Sequence, residues 1–260
     1  MSTQAIQAVP ITEHEDVKKV FALYLQNGMG QEKADAESLI KHIAFMETQF
    51  EKVFDELQNV RSQLQTIEDK SVRATVTRIV DAAHTKITEA KAQFSGIKDS
   101  VVQSFSDAVA ATKEKGVSAL RKTVDFLKIQ PALSIIRNKL GQAIHSLHQG
   151  VAQIEKVKTE LHAAKSHAHN AGRLMLGKDV KAAKVYDSER GVLAGVQKLM
   201  NKTVGLLAGI GKAAGAAMRK IEELGQQSEK TSVHQSIKDI KDSRAGGGRL
   251  ATDKSRDNAR

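Results

Sequence analysis

Nine apolar residues in unbroken heptad register limit what this chain can fold into more than any other feature: Leu39, Ile43, Met46, Phe50, Val53, Leu57, Val60, Leu64 and Ile67. Their spacing alternates between 4 and 3 residues throughout. Such a stripe keeps one edge of an α-helix turned toward a partner helix over many turns, the geometry of a left-handed coiled coil. A stripe with the ordinary helical period would drift off that register within a few turns. The segment 39–67 therefore predicts a long helix whose partner is another helix, from this chain or from a second one.

The rest of the chain reads in the same way. A short helix is expected from about His14 to Leu25, closed by "QNGMGQ", because glycine in a helix costs about 1 kcal/mol relative to alanine. After "EDKS", an eleven-residue repeat runs over 72–127, with 12 of its 16 positions Ala, Val, Ile, Leu or Phe. That period favours a straight or slightly right-handed stripe. Pro131 suits the first turn of a new helix and cannot continue an old one, so a hairpin is expected there. One long helix, from Gln31 to about Lys128 with a potential break near Ser71, would turn at Pro131, and helices 132–176 and 189–225 would pack along it. Leu133, Ile136, Leu140, Ile144, Leu147, Val151, Ile154, Leu161, Ala164, Ala168, Ala171 and Met175 share one face of the first of these, and Gly177 is placed to cap it. Residues 1–12 read as a flexible arm. Residues 226–260 read as a disordered polar and basic tail, since they cannot bury enough apolar surface to order themselves. The expected fold class is all-α, an elongated antiparallel helical bundle or coiled coil ending in that tail. With 3 % aromatic residues, no Trp and only two prolines, the composition suits narrow helical stripes better than a thick core.

The glycine-rich run "NKTVGLLAGIGKAAGAAMRK" raises the question of a phosphate loop. It fails that test: Leu206 stands where the first glycine should be and Ala213 where the hydroxyl should follow the lysine. It is also too short and too interrupted by Lys212 to span a bilayer. The expectation is a helix-packing seam, with Gly205, Gly209, Gly211 and Gly215 letting two backbones approach closely.

No constellation for chemistry emerges. Zero cysteines remove thiol catalysis and Cys-ligated zinc, and suit a reducing compartment. His162, His167 and His169 scatter around a helix, while His145 and His148 share a face without a carboxylate to complete a ligand set. The reading is a non-enzyme with no cofactor, no metal and no small-molecule substrate. The N-terminus lacks the basic start and apolar core of a secretory signal, so a cytoplasmic protein is expected.

Charge is uneven. Residues 1–72 carry 12 acids and 7 bases, whereas 73–178 carry 17 bases and 8 acids. The two segments can neutralise each other in the fold, or the bases can meet phosphates. In the tail, Lys238, Lys241, Arg244, Arg249, Lys254, Arg256 and Arg260 are the candidate phosphate contacts, but aspartates alternate with them and no aromatic residue interleaves to stack on bases. Weak, salt-sensitive nucleic-acid binding is the most that such a pattern supports.

The segments "LQNGMGQEKADAESLIKHIAFMETQFEKVFDELQNVRSQL", "KEKGVSALRKTVDFLKIQPAL" and "AGRLMLGKD" resemble an uncharacterised helical protein family associated with integrative and conjugative elements of gut Firmicutes. The resemblance spans about Val20 to Asp179 and contains no motif with assigned chemistry. It implies a bacterial, mobile-element setting. The leading functional expectation is a coiled-coil scaffold or accessory protein acting through helix–helix contacts, with protein partners or by self-association. The alternatives are an auxiliary, low-specificity DNA-binding protein of a DNA-mobilising system and, least supported, an amphipathic protein of the membrane surface.

Overall fold

A computed structural model of the chain describes residues 9–116, 120, 126–182 and 191–246, with the backbone alone for 126–127 and 224–246. Five α-helices account for most of it: α1 (Glu15–Gln26), α2 (Gly30–Gln65), α3 (Lys70–Lys115), α4 (Gln130–Met175) and α5 (Val192–Gly246). No strand occurs among the described residues.

Local chemistry explains the boundaries. The His14 ring accepts a bond from the Asp16 amide at the start of α1, and Glu15 and Asp16 place negative charge at the positive end of the helix dipole. Gly28, at φ 67°, turns the chain into α2. The long helix expected from Gln31 to Lys128 is broken twice. Asp69 caps α3 by accepting from the amides of Ser71 and Val72 at 2.9 and 3.1 Å, which fixes the first break at Thr66–Asp69. The second break is Gly116, at φ 77°, a conformation that residues with a Cβ adopt only with strain, so α3 ends at Lys115 instead of Lys128. Pro131 lies in the first turn of α4. At its other end Gly177, at φ 67°, closes the helix with paired bonds from its own amide to Leu174 O and from Lys178 N to Arg173 O, each 3.0 Å.

Helices α2 to α5 form an up-down-up-down bundle. Glu47–Lys98 and Arg61–Asp81 set α2 antiparallel to α3, and Glu89–Lys139 with Ile79 beside Gly150 does the same for α3 and α4. Arg137 beside Gly215 and Glu155 beside Gln197 align α4 with α5, and Asp35–Lys220 with Glu56–Lys202 closes the ring between α5 and α2. All nine heptad residues are buried inside this ring, Ile67 just beyond the end of α2. The heptad stripe is therefore occupied by helices of the same chain.

The interior is not evenly filled. Phe50 packs on Phe94 with ring centroids 5.3 Å apart, and Phe54 on His84 at 5.8 Å, which holds α2 and α3 apart. Their backbones approach closely over much less of their length than those of α2 and α5 or α3 and α4. The N-terminal segment fills the wide side. Phe21 of α1 meets Phe105, and Ile11 is fully buried. Lys98 Nζ bonds both Val9 O at 2.6 Å and Glu47 at 2.5 Å. The flexible arm expected over 1–12 is thus docked from Val9 onward, because burying an isoleucine is worth about 1.5–3 kcal/mol; residues 1–8 lie outside the described residues.

Two details move, the register of the α3 stripe and the end of the last helix. The buried residues of α3 are Val76, Val80, Ala83, Ile87, Ala90, Phe94, Ile97, Val101, Phe105 and Ala108, a heptad spacing with one extra four-residue step after Val101. The eleven-residue reading shares most of these positions but takes Ile79, which is half-buried, and omits Val80, Ile97 and Ala108. At the C-terminus the helical backbone passes Gly225 and reaches Gly246. No proline or further glycine lies between Gln226 and Ala245, and extending an existing helix is far easier than nucleating one. Residues 247–260, the remainder of the expected tail, lie outside the described residues.

Candidate functional site

Because α5 closes the ring, its two flanks decide what the bundle presents. Its core-facing residues are Val196, Met200, Thr203, Leu207, Ile210, Ala213, Ala214, Ala217 and Ile221. The small ones, Ala213, Ala214 and Ala217, occupy the stretch expected to be a glycine seam. The glycines themselves do not face a close neighbour. A Cβ built on Gly205 or Gly211 meets nothing within 4 Å, one on Gly209 would lie 3.9 Å from Phe45, and one on Gly215 3.7 Å from Arg137 Cζ. None of these contacts requires glycine. The close approaches are elsewhere: a Cβ on Gly150 would overlap the Met200 methyl and lie 3.1 Å from Ile79, and one on Gly195 would lie 2.6 Å from Gln63 Oε1. The packing seam is carried by alanines, with Gly150 and Gly195 at the tight points. Counting small residues in one segment misses this, because closeness depends on which neighbour the residue faces.

The α2 flank of α5 is polar and paired. Lys220 Nζ lies 2.6 Å from Asp35, whose residue is only 3 % exposed, and Gln31 donates to the same carboxylate at 3.1 Å. The hydrogen bond from Lys220 to Asp35 raises the lysine above its ordinary value of 10.5, with Glu223 adding to the effect. Further along, Lys202 donates to the buried Glu56. Across this seam α2 and α5 neutralise part of one another's charge, while the acidic segment 1–72 meets the basic segment 73–178 in the pair Glu47–Lys98.

The α4 flank differs. At one end the buried Lys158 donates to Glu155 at 3.1 Å and to Gln197 at 2.9 Å. From Pro131 to Ile154 of α4, and from Val192 to Ile221 of α5, the sequence contains no Asp or Glu. Between them runs an open groove lined by Arg137, Leu140, Gly141, Ile144, Leu207, Ala208, Gly211, Lys212, Gly215 and Arg219. Arg137, Lys212 and Arg219 are exposed and have no carboxylate partner among the described residues. Two of the four glycines, Gly211 and Gly215, thus find a different place, lining a basic groove together with Gly141 of α4.

One end of the bundle exposes apolar surface. By register, α4 passes the start of α3 and of α5 near Lys158, and no residue from Thr159 to Ala182 is buried. Among the described residues, six of the ten exposed large apolar side chains lie there: Leu161, Leu174, Met175, Leu176, Val180 and Val192. The loop after Gly177 folds back, with Lys181 bonded to Asn170 through both its amide and its carbonyl, at 3.1 and 3.0 Å. His162, His167 and His169 lie on this overhang, and no group of three His, Cys, Asp or Glu able to hold a metal occurs among the described residues. No described helix is long and apolar enough to cross a membrane. Of the candidate phosphate contacts, Lys238, Lys241 and Arg244 fall on the last turns of α5, where the backbone alone is described, and Arg249, Lys254, Arg256 and Arg260 lie outside the described residues.

No solved structure and no curated protein matches the chain. A family profile does, over residues 13–259, and the chain therefore belongs to DUF6674, a family of unknown function.

Proposed function

We propose that the protein is a non-enzymatic, cytoplasmic scaffold that joins to a second copy of itself through the overhang of α4, in the mobile-element setting that the sequence resemblance implies. The observation that carries this reading is the exposed stripe Leu161, Ala164, Ala168, Ala171 and Met175, which continues the core face of α4 beyond the point where its partners stop. The overhang, 159–175, is about 25 Å long at 1.5 Å per residue. Its alanines allow close approach, and two such helices related by a twofold axis near Ala168 bury the same stripe on both sides. That arrangement brings Glu160 of one copy within a turn of Arg173 of the other, a complementary pair. The heptad of α2, which first suggested self-association, does not serve it, since it is filled from within.

The test is the oligomeric state of the full chain by analytical ultracentrifugation, with Leu161→Glu/Ala168→Glu as the variant. Both sites are exposed, so the fold is expected to survive and the dimer to weaken at least tenfold. A wild-type chain that stays monomeric at tens of micromolar, or a variant that dimerises as well as wild type, would sink the proposal.

A further inference from the structure

The α4–α5 groove is a second feature, independent of the overhang, and its chemistry points to an anion. The side chain of Arg137 lies over Gly215, with Cζ 3.7 Å from where a Cβ would stand. On the same side of α5, Lys212 is three residues before Gly215 and Arg219 four residues after it. At 1.5 Å per residue the three cations therefore follow one another along the groove at steps of about 5 Å. The helices on either side supply no acid from Pro131 to Ile154 or from Val192 to Ile221; Glu222, one turn past Arg219, closes that end and accepts from Gln130 of α4 at 2.7 Å. Lys202 and Lys220, on the opposite flank of the same helix, both have carboxylate partners. On α5, then, Lys202 and Lys220 facing α2 are matched by acids of the fold, whereas Lys212 and Arg219 facing α4 have no ion pair among the described residues.

Glycine at 141, 211 and 215 keeps the groove open at the level of the cations. A small phosphorylated molecule would need a concave site that covers most of its surface. This groove is open along the bundle, and its charges form a line, which suits a chain of phosphates. Phosphates of one strand recur every ~3.4 Å along a duplex axis and further apart in an unstacked strand. No aromatic residue lines the groove, so it offers no platform for base stacking. We infer that Arg137, Lys212 and Arg219 form a sequence-independent binding groove for the phosphodiester backbone of a nucleic-acid strand.

The test is fluorescence anisotropy of the full chain with labelled random-sequence single-stranded and duplex DNA, at about 50 and 200 mM salt. Arg137→Gln/Lys212→Gln/Arg219→Gln is compared with Lys18→Gln/Lys52→Gln/Lys113→Gln, three exposed bases elsewhere, so that both variants lose the same net charge. The groove variant is expected to lose at least tenfold in affinity, and the control about twofold or less. With three phosphates contacted, the salt slope for a single strand should flatten by about 2. Gly211→Glu, which puts a carboxylate where a side chain meets nothing within 4 Å, should weaken binding in the same direction and guards against a folding defect in the triple variant. Equal losses in the two triple variants would overturn the inference. So would an absence of wild-type binding at the lower salt, or a groove effect seen with phosphatidylserine vesicles and not with DNA.

Discussion

Along its α2 flank, α5 sets Lys220 against Asp35 and Lys202 against Glu56, whereas along its α4 flank Lys212 and Arg219 line a groove with Arg137 of α4 and no acid among the lining residues. One helix thus carries two kinds of positive charge. The first kind is part of the fold: each lysine is matched to a carboxylate that would otherwise be buried without a cation. The second kind contributes like-charge repulsion to the folded state, with no ion pair among the described residues to offset it. Charge that destabilises its own fold, placed on an open groove, is better explained by something that comes to meet it.

The contrast is sharpest in what substitution should do. Lys220→Ala leaves the Asp35 carboxylate buried without its cation, and breaking such a pair from one side costs about 3 kcal/mol, read from urea unfolding. A loss under about 0.5 kcal/mol, the size expected of an ordinary surface change, would show that the α2 flank is no more structural than the α4 flank. The glycines divide in the same way. Gly150→Ala pushes a methyl into Met200 and should destabilise by roughly 1–3 kcal/mol. Gly211→Ala and Gly205→Ala enter open space within a helix and should stabilise by about 0.5–1 kcal/mol each, as a rise in Tm.

Alkaline pH separates the flanks next. Lys220 is raised from 10.5, so the native state holds its proton more tightly than the unfolded chain. Its contribution is fully present below pH 10.5 and is lost as pH rises through the higher native value. Tyr24, buried and pushed up to about 12, behaves alike, losing its contribution between pH 10 and about 12. Lys220→Met/Tyr24→Phe should flatten the alkaline fall in stability, whereas the Gln variant of Arg137, Lys212 and Arg219 should leave it unchanged. The smallest effect is expected from that groove variant itself. Removing three facing bases should raise stability by about 0.5 kcal/mol or less at low salt, and by nothing measurable at high salt.

Much of this bundle is legible from single residues. The heptad of α2 reads directly from Leu39 to Ile67, Asp69 announces the break before α3, and Pro131 and Gly177 mark the two ends of α4. Each of these signals is local, a cap, a turn or a period, and depends on no distant neighbour. What the sequence does not show is pairing. Gly211 and Gly150 look alike in a string of letters, and they differ only because Gly150 faces Met200. The acid-free runs of α4 and α5 are visible in the sequence, but become one groove only when the two helices are set side by side in antiparallel register. The tail bases form a cluster in the sequence itself, whereas Arg137 stands 75 residues before Lys212 and joins it only in the fold.

The ring closure described for α2 and α5 also has a consequence in time. The contacts of α2 with α3, and of α3 with α4, join neighbouring segments, but Glu56 must wait for Lys202, 146 residues later. Contacts of such long separation form late, and a chain leaving the ribosome makes α5 after α2, α3 and α4. Until α5 arrives, the heptad edge of α2 lies open to any amphipathic helix nearby. Asp35 and Glu56 then act as gatekeepers: an intruder without a lysine at both levels would bury a bare carboxylate. Pulsed hydrogen exchange during refolding should find α3 and α4 protected before α5, and replacing Asp35 and Glu56 with leucine should speed collapse while admitting misassembled oligomers.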